Sequence, residues 1–169
     1  MKRLILMRHA KSSWEDDLAD FDRPLNRRGL RDAPRIAAEL VRLDWIPDLV
    51  VYSAALRTTK TWQLMAEHFV NSPQAVSSRD LYLSSTASLR RTIENLPENV
   101  TTALLLGHNP VWESVVSQLS KQNVRLTTAN AALFQIDTRI IWQDALASNT
   151  SWELMRVIKP KELSDAPEG

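Results

Sequence analysis

Three short runs of apolar residues stand out from an otherwise mixed chain: Leu4–Met7, Leu49–Tyr52 and Ala103–Leu106. Charged residues do not alternate with the apolar ones, which is the pattern of strands buried on both faces of a parallel sheet. Between these runs the period changes. Leu30, Ala33, Ala37 and Leu40 recur at helical spacing behind Asn26, a natural N-cap. Pro34 falls inside that pattern and predicts a kink or a late start, because proline removes a backbone donor. Ser53 can cap a second helix reaching about Phe69, with Trp62, Met65 and Phe69 on one side. Leu89, Ile93 and Leu96 mark a third. Asn109-Pro110 puts an N-cap residue before a proline at the first helical position, opening a fourth helix that buries Trp112, Val115, Val116 and Leu119. Ala131–Ile136 and Trp152–Ile158 read as two more strands, with a hairpin or loop over 137–151.

Strands alternating with helices predict an α/β sandwich, helices on both faces of a mainly parallel central sheet. No repeat or linker divides the chain, so one domain is expected over residues 1–160. The segment from Lys159 onward is polar with two prolines, and 161–169 is expected to be a loose tail.

Composition narrows the function. The 21 Lys and Arg against 20 Asp and Glu give a net charge of +1, without the basic excess of a nucleic-acid or membrane-surface binder. Any concentration of arginine must therefore be local. The chain has no cysteine, which excludes disulfides, thiolate metal sites and a cysteine nucleophile. The first apolar run is too short for a signal-peptide core, and no stretch approaches the ~18 apolar residues of a membrane span. A cytoplasmic enzyme is expected. With three glycines, a glycine-rich phosphate loop is ruled out, and there is no Gly-x-Ser-x-Gly elbow.

Ligands of open α/β sheets bind beyond the carboxyl ends of the strands. Here the first predicted strand ends in Arg8-His9, the second in Ser53 with Arg57 one turn into the next helix, and the third in Gly107-His108-Asn109-Pro110. If these strands are neighbours, two histidines and two arginines converge in one crevice, the composition of a phosphate pocket. Guanidinium groups bind phosphate oxygens bidentately and neutralise them during transfer. A neutral imidazole is a competent nucleophile, and neighbouring arginines depress its pKa and keep it neutral. A second imidazole can donate a hydrogen bond or carry charge opposite the first. Helix N-termini at Ser53 and Asn109 would add backbone donors. A zinc site is not expected, because His9 and His108 lack helical ligand spacing and are surrounded by arginine. His68, late in the second helix, reads as a partly buried or surface residue.

These motifs resemble those of the histidine phosphatase (phosphoglycerate mutase-like) superfamily. Leu6-Met7-Arg8-His9-Ala10 is similar to its Arg-His-Gly signature, with Ala10 in place of glycine. Ser53 to Thr61 is similar to its Ser-x-x-x-Arg-x-x-x-Thr segment, and Gly107-His108-Asn109-Pro110 to its second-histidine motif. Arg23-Pro24-Leu25-Asn26-Arg27-Arg28-Gly29 resembles a stretch of the short, SixA-like phosphohistidine phosphatase branch. The resemblance implies a three-layer α/β/α fold with no metal or other cofactor. It further implies that His9 accepts the phosphoryl group while Arg8, Arg57 and His108 hold its oxygens. Arg23, Ser12 and Asn109 would contact the substrate, with Ser13 and Trp14 beside Ser12 at the mouth. Many superfamily members protonate the leaving alcohol with an acid between the arginine and second-histidine motifs, and Asp80 is the nearest candidate here. The surrounding pattern matches poorly. An alkoxide needs such an acid, commonly contributing ~10²–10⁴-fold, whereas an imidazole can leave already protonated. Protein phosphohistidine is therefore the expected substrate. The alternatives are small phosphomonoesters and a non-catalytic role in binding phosphate or phosphoprotein.

Overall fold

The computed structural model describes residues 1–14, 17–137 and 139–163. Six strands form one sheet in the order β3-β2-β4-β1-β5-β6: β1 Lys2–Arg8, β2 Leu49–Ser53, β3 Gln74–Ser78, β4 Thr102–Gly107, β5 Ala131–Ile136 and β6 Glu153–Ile158. Strands β1 to β4 run parallel, and β5 is antiparallel to both β1 and β6. The three apolar runs lie side by side as β2-β4-β1, in the middle of the sheet where both faces need apolar side chains.

The two faces make two cores. Ile5, Met7, Val50, Leu104 and Leu106 pack against Ile36, Leu40, Trp62 and Met65 of helices α1 (Arg27–Arg42) and α2 (Leu56–Ala66). Leu4, Leu6, Leu49, Val51, Ala103 and Leu105 pack against Leu89, Ile93, Trp112 and Val116 of α3 (Thr86–Glu94) and α4 (Val111–Ser120). The segment 137–151, expected as a hairpin or loop, includes a short 3-10 turn, Trp142–Asp144, that closes the second core. Trp142 is fully buried, stacks on Trp152 and donates its indole N–H to the Val100 carbonyl at 2.9 Å.

Several boundaries differ from expectation. Helix α1 runs through Pro34 and is capped by Asn26, whose side chain accepts from the Gly29 N–H. Leu30 lies half exposed, outside the buried stripe of Gly29, Ala33, Ile36, Ala37 and Leu40. Ser53 does not cap α2: it ends β2, Ala55 takes the cap position, and the helix stops at Ala66. Phe69 lies beyond that end but still stacks on Trp62. Helix α4 begins at Val111 with Pro110 in the cap position, although Asn109 Oδ1 still accepts from the Glu113 N–H at 3.3 Å. Strand β3 was not predicted, because Gln-Ala-Val-Ser-Ser has no apolar run. As a largely exposed edge strand it needs none. Of the expected tail, Leu163 packs on the α1 side of the sheet and its carbonyl accepts from Arg35, while residues 164–169 lie outside the described residues.

Glycine appears where backbones or rings meet closely. A β-carbon at Gly29 would collide with the Lys11 carbonyl, so α1 lies directly against the loop that leaves β1. A β-carbon at Gly107 would collide with the Trp112 indole, which donates to the Leu105 carbonyl at 3.0 Å. Helix propensity alone would make Gly29→Ala stabilising by about 1 kcal/mol. The collision instead predicts a loss of ~1–3 kcal/mol, typical of overpacking. Urea denaturation of Gly29→Ala decides the sign, and stabilisation would contradict this packing.

Candidate active site

Neighbouring parallel strands bring the expected residues together at the carboxyl end of the sheet. Arg8 ends β1 opposite Gly107, the last residue of β4, and the His9 N–H donates to the Gly107 carbonyl at 3.0 Å. His108 follows β4, Ser53 ends β2 beside it, and Arg57 is the second residue of α2. The His9 and His108 rings lie 5.2 Å apart, centroid to centroid.

Hydrogen bonds define the state of each ring. His9 is 6% exposed, and its Nδ1 lies 2.7 Å from the Ala10 carbonyl, which can only accept. The proton of the neutral ring is therefore on Nδ1, leaving a lone pair on Nε2. Arg57 Nε donates to that Nε2 at 3.3 Å. Arg57 Nη2 also faces His108 Nδ1 at 3.3 Å. A guanidinium cannot accept, so neutral His108 carries its proton on Nε2. That Nε2–H points to Ser53 Oγ at 2.7 Å, with Thr58 Oγ1 at 3.4 Å.

Electrostatics keep both rings neutral. Burial is the largest cause that pushes His9 down to about 3, with His108, Arg57 and Arg8 adding to it against the Ala10 carbonyl. Burial and then Arg57 push His108 down to about 4, opposed by Asp20. Arg8 lies alongside; its Nη1 donates to the Leu126 carbonyl at 3.2 Å. Its Nε is buried and has no hydrogen-bond partner among the described residues.

Among the described residues the carboxylate bonded to Arg57 is that of Asp20, which sequence reasoning missed. Its Oδ2 accepts from Arg57 Nη2 at 3.1 Å and from the Tyr82 hydroxyl at 2.8 Å, and its Oδ1 from Arg23 Nη1 at 3.0 Å. Its carbonyl accepts from Arg57 Nη1 at 2.6 Å. Burial opposes ionisation, yet Tyr82, Arg57 and Arg23 together hold the carboxyl below its ordinary range. Asp80 is exposed in the turn Arg79–Leu81 and has no hydrogen bond or ion pair among the described residues, so the structure does not tie it to the histidines.

The remaining expected residues divide. Arg23 is buried, donates to the Ser13 carbonyl and Ser12 Oγ, and stacks on Trp14, which is 73% exposed. Arg23 and Ser12 thus brace the loop that carries Asp20. Asn109 donates to the Leu126 carbonyl at 2.7 Å and so anchors the loop beside Arg8. Thr61, also missed, accepts from the Ala10 N–H at 3.0 Å and fixes the turn that carries His9. Its spacing of four from Arg57 in Arg57-Thr58-Thr59-Lys60-Thr61 was visible as part of the motif. Tyr82 stands edge-on to His108 with centroids 5.7 Å apart, and nothing in its local sequence marked it. His68 is exposed on the chain beyond α2. Among the described residues no three His, Cys, Asp or Glu side chains group as metal ligands, and no helix is long and apolar enough to cross a membrane.

Comparison with known proteins agrees with this fold. A model of the histidine phosphatase superfamily (branch 1) matches residues 4–81. An uncharacterized chloroplastic protein of Arabidopsis thaliana is 35% identical over 174 residues, covering 94% of this chain and 78% of that protein. The structure of the protein histidine phosphatase SixA complexed with tungstate superposes with a TM-score of 0.81 at 19% identity, covering 96% of this chain and 99% of that one. A protein of Agrobacterium tumefaciens assigned as phosphohistidine phosphatase SixA superposes with a TM-score of 0.80 at 24% identity, covering 94% of this chain and 98% of that one.

Both histidines are displaced downward from the ordinary value near 6.5. Below about pH 6.5 the unfolded chain binds protons that the folded one does not. The stability these rings contribute is therefore full above that pH and is lost as pH falls toward about 4 for His108 and about 3 for His9. NMR titration should find the His9 and His108 rings neutral from about pH 8 down to about pH 5. A midpoint near 6.5 for either ring would contradict the site described.

Proposed function

The chain belongs to the histidine phosphatase superfamily, and on that premise we propose that it is a metal-independent cytoplasmic phosphatase that transfers a phosphoryl group from protein phosphohistidine to His9 and then to water. The observation that carries this reading is the His9 tautomer: Nδ1–H is committed to the Ala10 carbonyl, and Nε2 presents a lone pair beside Arg57. A residue that only bound phosphate would not need a lone pair there. The SixA complex with tungstate, a phosphate-like oxyanion, is in keeping with such a pocket.

In the first step His9 Nε2 attacks phosphorus, and the bond to the substrate imidazole breaks with its electron pair going to that imidazole. The substrate ring, protonated on its other nitrogen, leaves neutral. Arg8 and Arg57 balance charge on the phosphoryl oxygens. A dianionic phosphoryl group favours the imidazolium form of His108, so Nδ1 changes from accepting Arg57 to donating to the phosphoryl oxygen. In the second step water attacks the phosphohistidine at His9, inorganic phosphate leaves, and neutral His9 returns.

The substrate assignment rests on the state of the carboxylates. Asp20 is held ionised by Arg57, Arg23 and Tyr82, so it is not poised to protonate an alkoxide. Asp80 is exposed and unpartnered among the described residues. Among the described residues the site has no protonated carboxyl, which favours a leaving group that brings its own proton.

The test measures phosphate release, without metal, from a phosphohistidine-bearing protein and from an alkyl phosphate. Release from phosphohistidine should exceed release from the ester by about 10²-fold or more, the range of a missing general acid. His9→Ala should abolish it, and Asp80→Asn should leave it within about twofold. Comparable ester turnover that depends on Asp80 would instead favour a small-molecule phosphomonoesterase. Absence of His9-dependent release from either substrate would favour a binding module.

A further inference from the structure

Arg8 faces two spaces. On one side it approaches His9, His108 and Arg57, whose charges or titrations it influences. On the other it lines a concavity of about 430 Å³ with Asn109, Glu113, Asn123 and Arg125. This second space is closed by the loop after α4, which is fixed at three points. Glu113 accepts the Leu126 N–H at 2.7 Å, Asn109 donates to the Leu126 carbonyl at 2.7 Å, and Arg8 Nη1 donates to the same carbonyl at 3.2 Å. The loop thus presents Arg125 in a defined place beside the phosphate pocket.

The donors in this concavity exceed the acceptors that satisfy them. Arg125 is exposed and has no hydrogen bond or ion pair among the described residues, and the same holds for the Asn123 amide. Among the described residues Glu113 is the one carboxylate in the lining, and its Oε2 already accepts from Leu126 and Asn109. Two guanidiniums against one engaged carboxylate leave a single positive charge uncompensated. That balance fits a monoanion better than a dianion.

We infer that this concavity is a second anion subsite, which takes a carboxylate of the substrate held chiefly by Arg125 while the phosphoryl group lies on the other side of Arg8. The inference rests on the phosphatase reading above and deepens it. The preferred substrate is a polypeptide with an Asp or Glu side chain close to its phosphohistidine. An α-carboxylate of a small phosphorylated amino acid offers the same chemistry from another source. Arg125 makes no contact with the histidines and acts on substrate affinity alone.

Steady-state kinetics of wild type and Arg125→Ala on four substrates test this. They are a phosphohistidine peptide with a neighbouring Glu, the same peptide with Gln, free phosphohistidine, and inorganic phosphoramidate. For the Glu peptide, KM should rise roughly three- to fivefold with kcat unchanged, as expected for losing one largely exposed ion pair. The Gln peptide and phosphoramidate should be unaffected, and Arg125→Glu should raise KM for the Glu peptide further. A rise confined to free phosphohistidine would keep the subsite but assign it to a small substrate, overturning the polypeptide source. Equal effects on the Glu and Gln peptides, or no effect on any substrate while turnover persists, would overturn the subsite alone. No turnover of phosphoramidate or any phosphohistidine by wild type would overturn the phosphohistidine reading and the subsite with it.

Discussion

The buried Arg57 guanidinium is the interaction around which the site is organised. Its Nε faces His9, one Nη faces His108, and the outer edge holds the carboxylate and carbonyl of Asp20. Because a guanidinium only donates and stays charged, it fixes one lone pair on each imidazole and adds to the burial that keeps both rings neutral. Both consequences matter for the proposed chemistry: one ring must attack as a base, and the other must be able to gain a proton when negative charge arrives. Asp20 offsets part of the Arg57 charge and, through Arg23 and Tyr82, connects the site to the loop and turn at its mouth.

The sheet makes this convergence possible with little local machinery. Parallel neighbours β2, β4 and β1 end at the same level, so the residues that follow them meet without long loops. Close packing then fixes their positions. Trp112 lies against Gly107 just before His108, and the Asn26-capped start of α1 abuts the Lys11 backbone just after His9. Thr61, one turn along α2 from Arg57, holds the Ala10 N–H and closes the frame around the first histidine. Site residues are thus held by backbone contacts of buried elements, the arrangement that preorganised electrostatics requires.

Much of this was legible in the sequence for physical reasons. Strands buried on both faces cannot avoid apolar runs, so β1, β2 and β4 announced themselves and so did the reactive residues at their ends. His9, Arg8, Arg57 and His108 could be grouped because strand-end position is a one-dimensional signal. Edge strand β3 carried no such signal, since an exposed strand tolerates Gln-Ala-Val-Ser-Ser. Asp20 and Tyr82 were missed because they reach the site through long-range contacts, 37 and 26 residues from Arg57 and His108 respectively. Asp80 drew attention by its position between motifs, but position in sequence did not tie it to the histidines. Trp14, Trp45, Trp142 and Trp152 could not be sorted by pattern, unlike Trp62 and Trp112 on their helix stripes. Burial separates the exposed Trp14, stacked on Arg23, from the other five, which are all buried.

In the proposed reaction His9 Nε2 takes the phosphoryl group. Rapid-quench labelling with ³²P-phosphoramidate, followed by peptide mapping under alkaline conditions that preserve phosphohistidine, tests it most directly. A transient, acid-labile phosphate is expected on Nε2 of His9, forming and decaying within the turnover time and absent from His9→Ala. Label on His108, on Nδ1 of His9, or on no residue while phosphate is still released would contradict it.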